Sequence, residues 1–210
     1  MQPSPYTPGE IAREVPGRRA QLADIEERLD TLATVQRLVG RVRVDVASRG
    51  MGKTSLLRAA EVLAHERDLV SLWVTAGTGR PLAVDLAEAV ERSVSGTGSG
   101  RGRLGERLQA LRVQVGVPGF VEAESTWAAQ PARHGEASSM AGVRELEDVL
   151  VEAVQQARAD GRRGVVLFVD EVQAGDRHGL ALLGTAMQHL QAEKPDLPFG
   201  IFCAGLPTAP

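Results

Sequence analysis

The residues with the clearest chemical meaning form a glycine-rich segment, ASRGMGKT, at positions 47–54. Gly50 and Gly52 allow the backbone to bend so that successive N–H groups point at one anion. A helix that begins directly after them would add the partial positive charge of its N-terminus. In that setting Lys53 would reach the β- and γ-phosphates of a nucleotide, and the Thr54 hydroxyl would bind Mg²⁺. The segment therefore predicts a site for ATP and Mg²⁺.

This segment departs from the phosphate-loop pattern G-x-x-x-x-G-K-[ST] at its first position, where Ala47 stands in place of glycine. Alanine is the mildest replacement, but it disfavours a positive φ. The alternative is a glycine-rich turn before an ordinary helix. A strand predicted before the loop and a helix predicted after it favour phosphate binding. The other residues of the loop and helix start predicted to contact the nucleotide are Ser48, Arg49, Met51 and Ser55.

A pair of carboxylates follows a second apolar run, VVLFVDE, at positions 165–171. Asp170, at the end of a strand, is predicted to hold Mg²⁺ through its water shell, and Glu171 to polarise the attacking water. Ligands collect at the carboxyl ends of parallel strands, so both acids should face the phosphate loop. Strands that end in Asp-Glu are common, and the pair has weight only because a phosphate loop precedes it. Lys53 and Glu171 are the predicted catalytic residues.

Hydrophobic periodicity predicts the elements that must position these residues. Strands alternate with helices along the chain, which predicts an α/β fold with a parallel sheet covered on both faces, a three-layer α/β/α core. The first strand is unusual because Arg43 and Asp45 alternate with valines. Either one of its faces meets something polar, or the strand is shorter than drawn. The predicted strands are 42–46, 69–74, 165–169 and 199–204, and the predicted helices are 18–38, 53–65, 82–94, 104–113, 143–159 and 177–193.

The composition limits the classes of function. The chain has 210 residues and a net charge of −3, which does not favour direct contact with nucleic acid. Its single cysteine, Cys203, excludes a disulfide within the chain. No leader and no apolar run of membrane-spanning length are visible, which predicts a cytoplasmic protein without membrane contact. Residues 1–16 are predicted to form an extended arm and residues 17–210 the core, with a loop-rich insertion at about 95–141.

Three further segments resemble the AAA+ group of P-loop ATPases. VPGRRAQL at 15–22 resembles the V-G-R-x-x-E-L segment that lies near the adenine in many members, which implies that Gly17 and Arg18 contact the nucleotide. DEVQ at 170–173 and AGLP at 204–207 resemble the D-E-x-Q and A-G-L-P of relatives of replication initiators and signal-transduction ATPases. The resemblance implies a sheet of order 5-1-4-3-2 and ATP hydrolysis with Mg²⁺.

The sequence also lacks parts that the family pattern contains. It has no recognisable fifth strand, helical lid or arginine finger, which predicts a truncated ATPase core. The sensor position at the end of the fourth strand falls on Ala204 and Gly205, whose side chains cannot hydrogen-bond a γ-phosphate. Gln173 could sense that phosphate or could lie on the surface.

Three functions remain open on these grounds. The first is an ATP-binding domain whose slow hydrolysis drives a conformational switch. The second is a non-hydrolysing module locked by ATP or ADP, and the third is an ATPase associated with DNA in initiation or transposition. A homo-oligomer or a protein partner is possible in each case.

Overall fold

The computed structural model describes residues 17–40, 42–77, 79–94, 100–114 and 136–207, and the arm predicted at 1–16 lies outside them. Within these residues four parallel strands form one sheet of order β1-β4-β3-β2. Helices cover both of its faces, which confirms the α/β class. The strands are β1 (Arg43–Val46), β2 (Leu69–Thr75), β3 (Gly164–Asp170) and β4 (Phe199–Gly205), and the helices are α1 (Arg19–Val35), α2 (Lys53–His65), α3 (Leu82–Ser93), α4 (Gly100–Gln114), α5 (Glu136–Ala159) and α6 (Arg177–Glu193).

The two central strands, β3 and β4, are buried along their whole length. On one face their side chains pack with α1 and α2, where the rings of Phe168 and Phe202 stack at 5.8 Å. On the other face they pack with α3, α4, α5 and α6. Burial on both faces explains why these strands are continuous apolar runs. Burial also raises the pKa of the Cys203 thiol to about 12, as expected for a small side chain in the core.

The polar residues of β1 face the α1–α2 layer. Arg43 is ion-paired with Asp24 of α1, and its Nε donates to Asp45 Oδ2 at 2.7 Å. The valines on the opposite face have no such cover, since Val44 is 48% exposed and Val46 is 52% exposed. Both explanations offered for this strand therefore hold in part. The strand begins at Arg43, one residue later than predicted, and one face does meet polar groups.

The segment predicted as a loop-rich insertion contains helix. Residues 100–114 form α4, and α5 begins at Glu136 instead of at position 143. The last six residues of the segment predicted as a loop-rich insertion, 136–141, therefore belong to α5. These residues, EASSMA, have no apolar period, but Ala, Glu and Met are good helix formers and lie just ahead of a strongly periodic helix. No helix in the described part of the chain is long and apolar enough to cross a membrane.

One carboxylate caps two helices behind the sheet edge that carries the candidate site. Asp176 Oδ1 accepts from the Gly179 N–H of α6 at 2.7 Å, and Oδ2 accepts from the Leu82 N–H of α3 at 2.7 Å. A Cβ on Gly179 would lie 2.7 Å from both the Asp176 carboxylate and Leu82, so the position requires glycine. The α3 and α6 N-termini are thereby held together just after β2 and β3 end.

We expect Asp176→Ala to lower the free energy of unfolding by about 2 kcal/mol, because two helix starts lose their side-chain acceptor at once. Urea denaturation followed by circular dichroism measures the change. Asp196→Ala is the matched control, since Asp196 is 85% exposed and its ion pair with Arg37 at 3.2 Å contributes little in water. Equal losses in the two variants would contradict the double cap.

Candidate functional site

The phosphate loop joins β1 to α2 and is bent at its two glycines. Gly50 has φ +80° and Gly52 has φ +70°, both in the left-handed region that favours glycine. A Cβ at either position would meet nothing within 4 Å, so the backbone angle and not crowding requires glycine. Gly52 is also the N-cap of α2 and has no side chain to accept from the first-turn N–H groups. Those groups can therefore bind an anion at the helix N-terminus.

Alanine at the first loop position causes no strain. Among the described non-glycine residues, a positive φ occurs only at Gln36, Asp68 and Glu171, so Ala47 does not have one. The Ala47 N–H donates to the carbonyl of Gly205 at 3.3 Å, which joins the loop to the end of β4. The departure from the usual glycine is therefore compatible with the bent loop.

Lys53 lies inside the loop. The residue is only 7% exposed, and its ammonium donates to the Ser48 carbonyl at 3.2 Å. An ammonium has three N–H donors, so this contact leaves donors for another acceptor. A buried positive charge beside free helix-start N–H groups is an arrangement that attracts phosphate.

The two predicted halves of the site meet through a direct hydrogen bond. The Thr54 hydroxyl donates to Asp170 Oδ2 at 2.7 Å across 116 positions of sequence. Asp170 is only 4% exposed, and its Oδ1 accepts from the Glu171 N–H at 2.9 Å, which fixes the carboxylate plane. A hydroxyl and a carboxylate at the same point are oxygen ligands of the kind Mg²⁺ uses.

These donors are too few to form a complete metal cage. Among the described residues, no group of three or more His, Cys, Asp or Glu side chains could hold a metal ion. Mg²⁺ commonly binds through one or two protein oxygens together with substrate phosphates and water. The Thr54–Asp170 pair fits an ion that arrives with a nucleotide.

Glu171 directly follows β3 in an uncommon backbone conformation. Its φ is +53°, and it is the N-cap of a short 3-10 helix, Val172–Ala174. Its carboxylate accepts a hydrogen bond from the Gln173 side-chain amide, while Gln173 Oε1 accepts from the Leu206 N–H at 2.8 Å. The structure thus places Gln173, which is half-buried, between Glu171 and the residue that follows β4. Residue types alone did not predict this link, although a glycine at position 205, ending an apolar strand, was a possible signal.

The segment before α1 contacts the phosphate loop. Gly17 has φ +78°, and the Arg18 guanidinium donates to the Met51 carbonyl at 2.8 Å. Arg18 therefore braces the loop through its backbone. Val15 and Pro16, the first residues of the matching segment, lie outside the described residues.

The remaining predicted loop residues differ in exposure. Ser48, Arg49 and Met51 are exposed, and Ser55 is half-buried in the first turn of α2. A cavity of about 620 Å³ lies at the opposite end of the sheet, beside Leu69 at the start of β2 and His65 at the end of α2. It is separate from the phosphate loop.

The sheet order and the loop that faces an acidic strand end define the class of this protein as a P-loop nucleoside triphosphatase. Residues 14–199 match the family described as AAA ATPase domain, and the chain belongs to that family. This match confirms the AAA+ resemblance.

One solved structure shows the same fold. The crystal structure of Cdc6p from Pyrobaculum aerophilum is similar with a TM-score of 0.55 and 13% sequence identity. The similarity covers 98% of this chain and 43% of that chain, so the chain spans less than half the length of this relative. At this identity the likeness concerns the fold alone. No curated protein sequence matches the chain.

We expect Gly52→Ala to destabilise the protein by about 1–2 kcal/mol, because alanine must adopt a left-handed backbone there. The variant should also bind nucleotide more weakly, since relaxation of φ would turn loop N–H groups away from the phosphates. Chemical denaturation and a nucleotide-binding titration measure the two effects.

Gly184→Ala supplies the control of opposite sign. Gly184 lies in the middle of α6 at an exposed position, and its φ is not positive. A Cβ added there would meet nothing within 4 Å. Alanine there should stabilise the protein by about 0.5–1 kcal/mol and leave binding unchanged. If Gly52→Ala stabilised the protein and left nucleotide binding unchanged, as expected for Gly184→Ala, the left-handed loop geometry at Gly52 would be contradicted.

Proposed function

We propose that this chain binds ATP with Mg²⁺ and hydrolyses it slowly, and that hydrolysis drives a conformational switch. The observation that supports this proposal best is the hydrogen bond from Thr54 to Asp170 at 2.7 Å. It brings the start of α2 and the end of β3 together at one point, where ATP-bound Mg²⁺ needs oxygen ligands.

Each candidate residue has a distinct role in this proposal. Lys53 and the N–H groups of residues 48–55 bind the β- and γ-phosphates, and Gly17 and Arg18 lie on the side where the adenine would bind. Thr54 and Asp170 hold Mg²⁺, which neutralises charge on the phosphates when it is bound. Glu171 accepts a proton from the attacking water as a general base.

The second candidate is a module that binds nucleotide without turnover. The end of β4 favours it, because Ala204 and Gly205 have no polar side chain that could contact a γ-phosphate. A missing donor to developing charge typically slows catalysis by about 10²–10³-fold. Slow hydrolysis and no hydrolysis are therefore the two outcomes that experiment must separate.

The DNA-associated alternative has less support from the described residues. Arg103, Arg107 and Arg112 of α4 are paired with acidic side chains of α3 and α5. Arg107 contacts Asp148 at 2.9 Å, and Arg112 contacts Glu91 at 2.7 Å. Charges that are already paired contribute little to a phosphate-binding face. Cytoplasmic location, a homo-oligomer and a protein partner stay predictions from the sequence.

We expect Lys53→Ala to weaken ATP binding by about tenfold to a hundredfold, the usual loss when a charged hydrogen bond is removed. Lys194→Ala is the matched control, because Lys194 is the other lysine of the chain and is exposed at the end of α6. Isothermal titration with ATP and Mg²⁺ compares the two variants, which carry the same change in net charge. Equal affinities would overturn the proposed site.

Glu171→Gln separates hydrolysis from binding. We expect the variant to retain ATP affinity and to lose phosphate release by about 10²-fold or more, because an amide cannot accept the proton. Phosphate release in single and multiple turnover measures the loss. Wild-type protein that binds ATP but releases no phosphate would leave the nucleotide-locked module as the function.

Magnesium dependence provides a third test. ATP at about a hundred times its Kd should raise the free energy of unfolding by about 2.7 kcal/mol when Mg²⁺ is present. With a chelator the stabilisation should shrink, and in Asp170→Asn it should shrink even with Mg²⁺. Thermal melts of the wild type and Asp170→Asn with ATP, each with and without Mg²⁺, measure both effects. Equal stabilisation of the wild type with and without Mg²⁺ would contradict a role of Mg²⁺ in ATP binding.

A further inference from the structure

The tip of β4 contacts both halves of the candidate site through its backbone. The Gly205 carbonyl accepts from the Ala47 N–H, where the phosphate loop begins, at 3.3 Å. The next residue, Leu206, donates its N–H to Gln173 Oε1 at 2.8 Å. The position of β4 between β1 and β3 makes both contacts possible, because all three strands end at the same edge of the sheet.

The Gln173 side chain carries this connection to Glu171. Its amide donates from Nε2 to Glu171 Oε2 while its Oε1 accepts from Leu206. A carboxamide has one acceptor atom and one donor atom, and each neighbour here needs the opposite kind. A flipped amide would place oxygen against carboxylate and N–H against N–H, so chemistry selects this orientation.

Glu171 is held at its backbone as well as at its side chain. Its φ of +53° is unusual for a side chain of this size, and its N–H donates to Asp170 Oδ1 at 2.9 Å. One carboxylate oxygen is engaged by Gln173. Within the described residues, no hydrogen bond to the other oxygen, Oε1, is present, and that oxygen can receive a proton from water.

The lack of a side chain at Gly205 makes room for this arrangement. A Cβ there would lie 2.8 Å from Gln173 Oε1 and 2.8 Å from Val172 Cγ1. Gly205 does not have a positive φ, so the backbone angle does not explain the glycine. The explanation is the close approach of the Gln173 carboxamide and the Val172 side chain.

We propose that Gln173 is a positioning residue for Glu171 and links the orientation of its carboxylate to the tip of β4 and the phosphate loop. The inference rests on the proposed hydrolysis and deepens it. The water oxygen bonds to the γ-phosphorus, the bond from that phosphorus to the ADP oxygen breaks, and the proton of the water passes to Glu171 Oε1. Gln173 touches none of the reacting atoms and acts by holding Glu171 Oε2.

Gln173→Met tests the link because methionine keeps the length of the side chain and removes both hydrogen bonds. We expect kcat for ATP hydrolysis to fall by about tenfold or more, since a misplaced catalytic group loses rate steeply. KM and the Kd for ATP, measured by titration, should change by less than about twofold, because Gln173 contacts no nucleotide-binding residue of the phosphate loop. A variant with only a structural defect would lose binding and turnover together.

Gly205→Ala tests the same link from the other side. The new Cβ should displace the carboxamide and lower kcat as Gln173→Met does. The double variant should be no slower than the slower single variant, because both changes break one connection. Gly200→Ala is the control in the same strand, since a Cβ there would meet its neighbours at an ordinary distance of 3.6 Å or more.

The outcomes separate this inference from the proposed function. If Glu171→Gln abolished turnover while Gln173→Met left kcat unchanged, the positioning role would be overturned and the proposed ATPase activity would stand. Strictly additive losses in the double variant would also overturn it. Wild-type protein without turnover would overturn the hydrolysis and this inference together. A shared, non-additive loss of kcat at constant KM is the expected result.

Discussion

The approach of Thr54 to Asp170 depends on the order of strands in the sheet. The phosphate loop follows β1 and the carboxylate ends β3, and these two strands are not neighbours. With β4 between them, both strand ends still point to the same edge, and the α2 N-terminus can reach across it. Parallel strands are needed for this geometry, because only then do successive carboxyl ends collect on one side.

The same edge concentrates charges away from water. Lys53 and Asp170 are both almost fully buried, and buried charges are costly unless they are paired or hydrogen-bonded. Asp170 is well satisfied, since it accepts from the Thr54 hydroxyl and the Glu171 N–H. Within the described residues Lys53 has one acceptor, the Ser48 carbonyl. The imbalance leaves positive charge and N–H donors facing the loop, which favours a polyanion over a neutral ligand.

The parts of the fold and site that the sequence predicted are those in which residue type reports local physics. The glycines of the loop predicted positive φ angles, and the apolar runs of β3 and β4 predicted burial on both faces. The parts it could not predict depend on tertiary neighbours. Arg43 makes sense in a strand only once Asp24 of α1 is beside it, and Ala47 is harmless only because the loop needs no positive φ there.

Gln173 was difficult to predict for a related reason. Its partner is the backbone N–H of Leu206, which directly follows β4, and a backbone hydrogen bond does not require a particular residue type at its own position. Because Ala204 and Gly205 have no polar side chain, the sequence alone predicts that no residue at the end of β4 makes a polar contact in the site. The contact instead determines the residue type at two other positions. Gly205 has no room for a Cβ, and Gln173 has both a donor and an acceptor. A polar link between the Glu171 carboxylate and the end of β4 is thus present although Ala204 and Gly205 have no polar side chain.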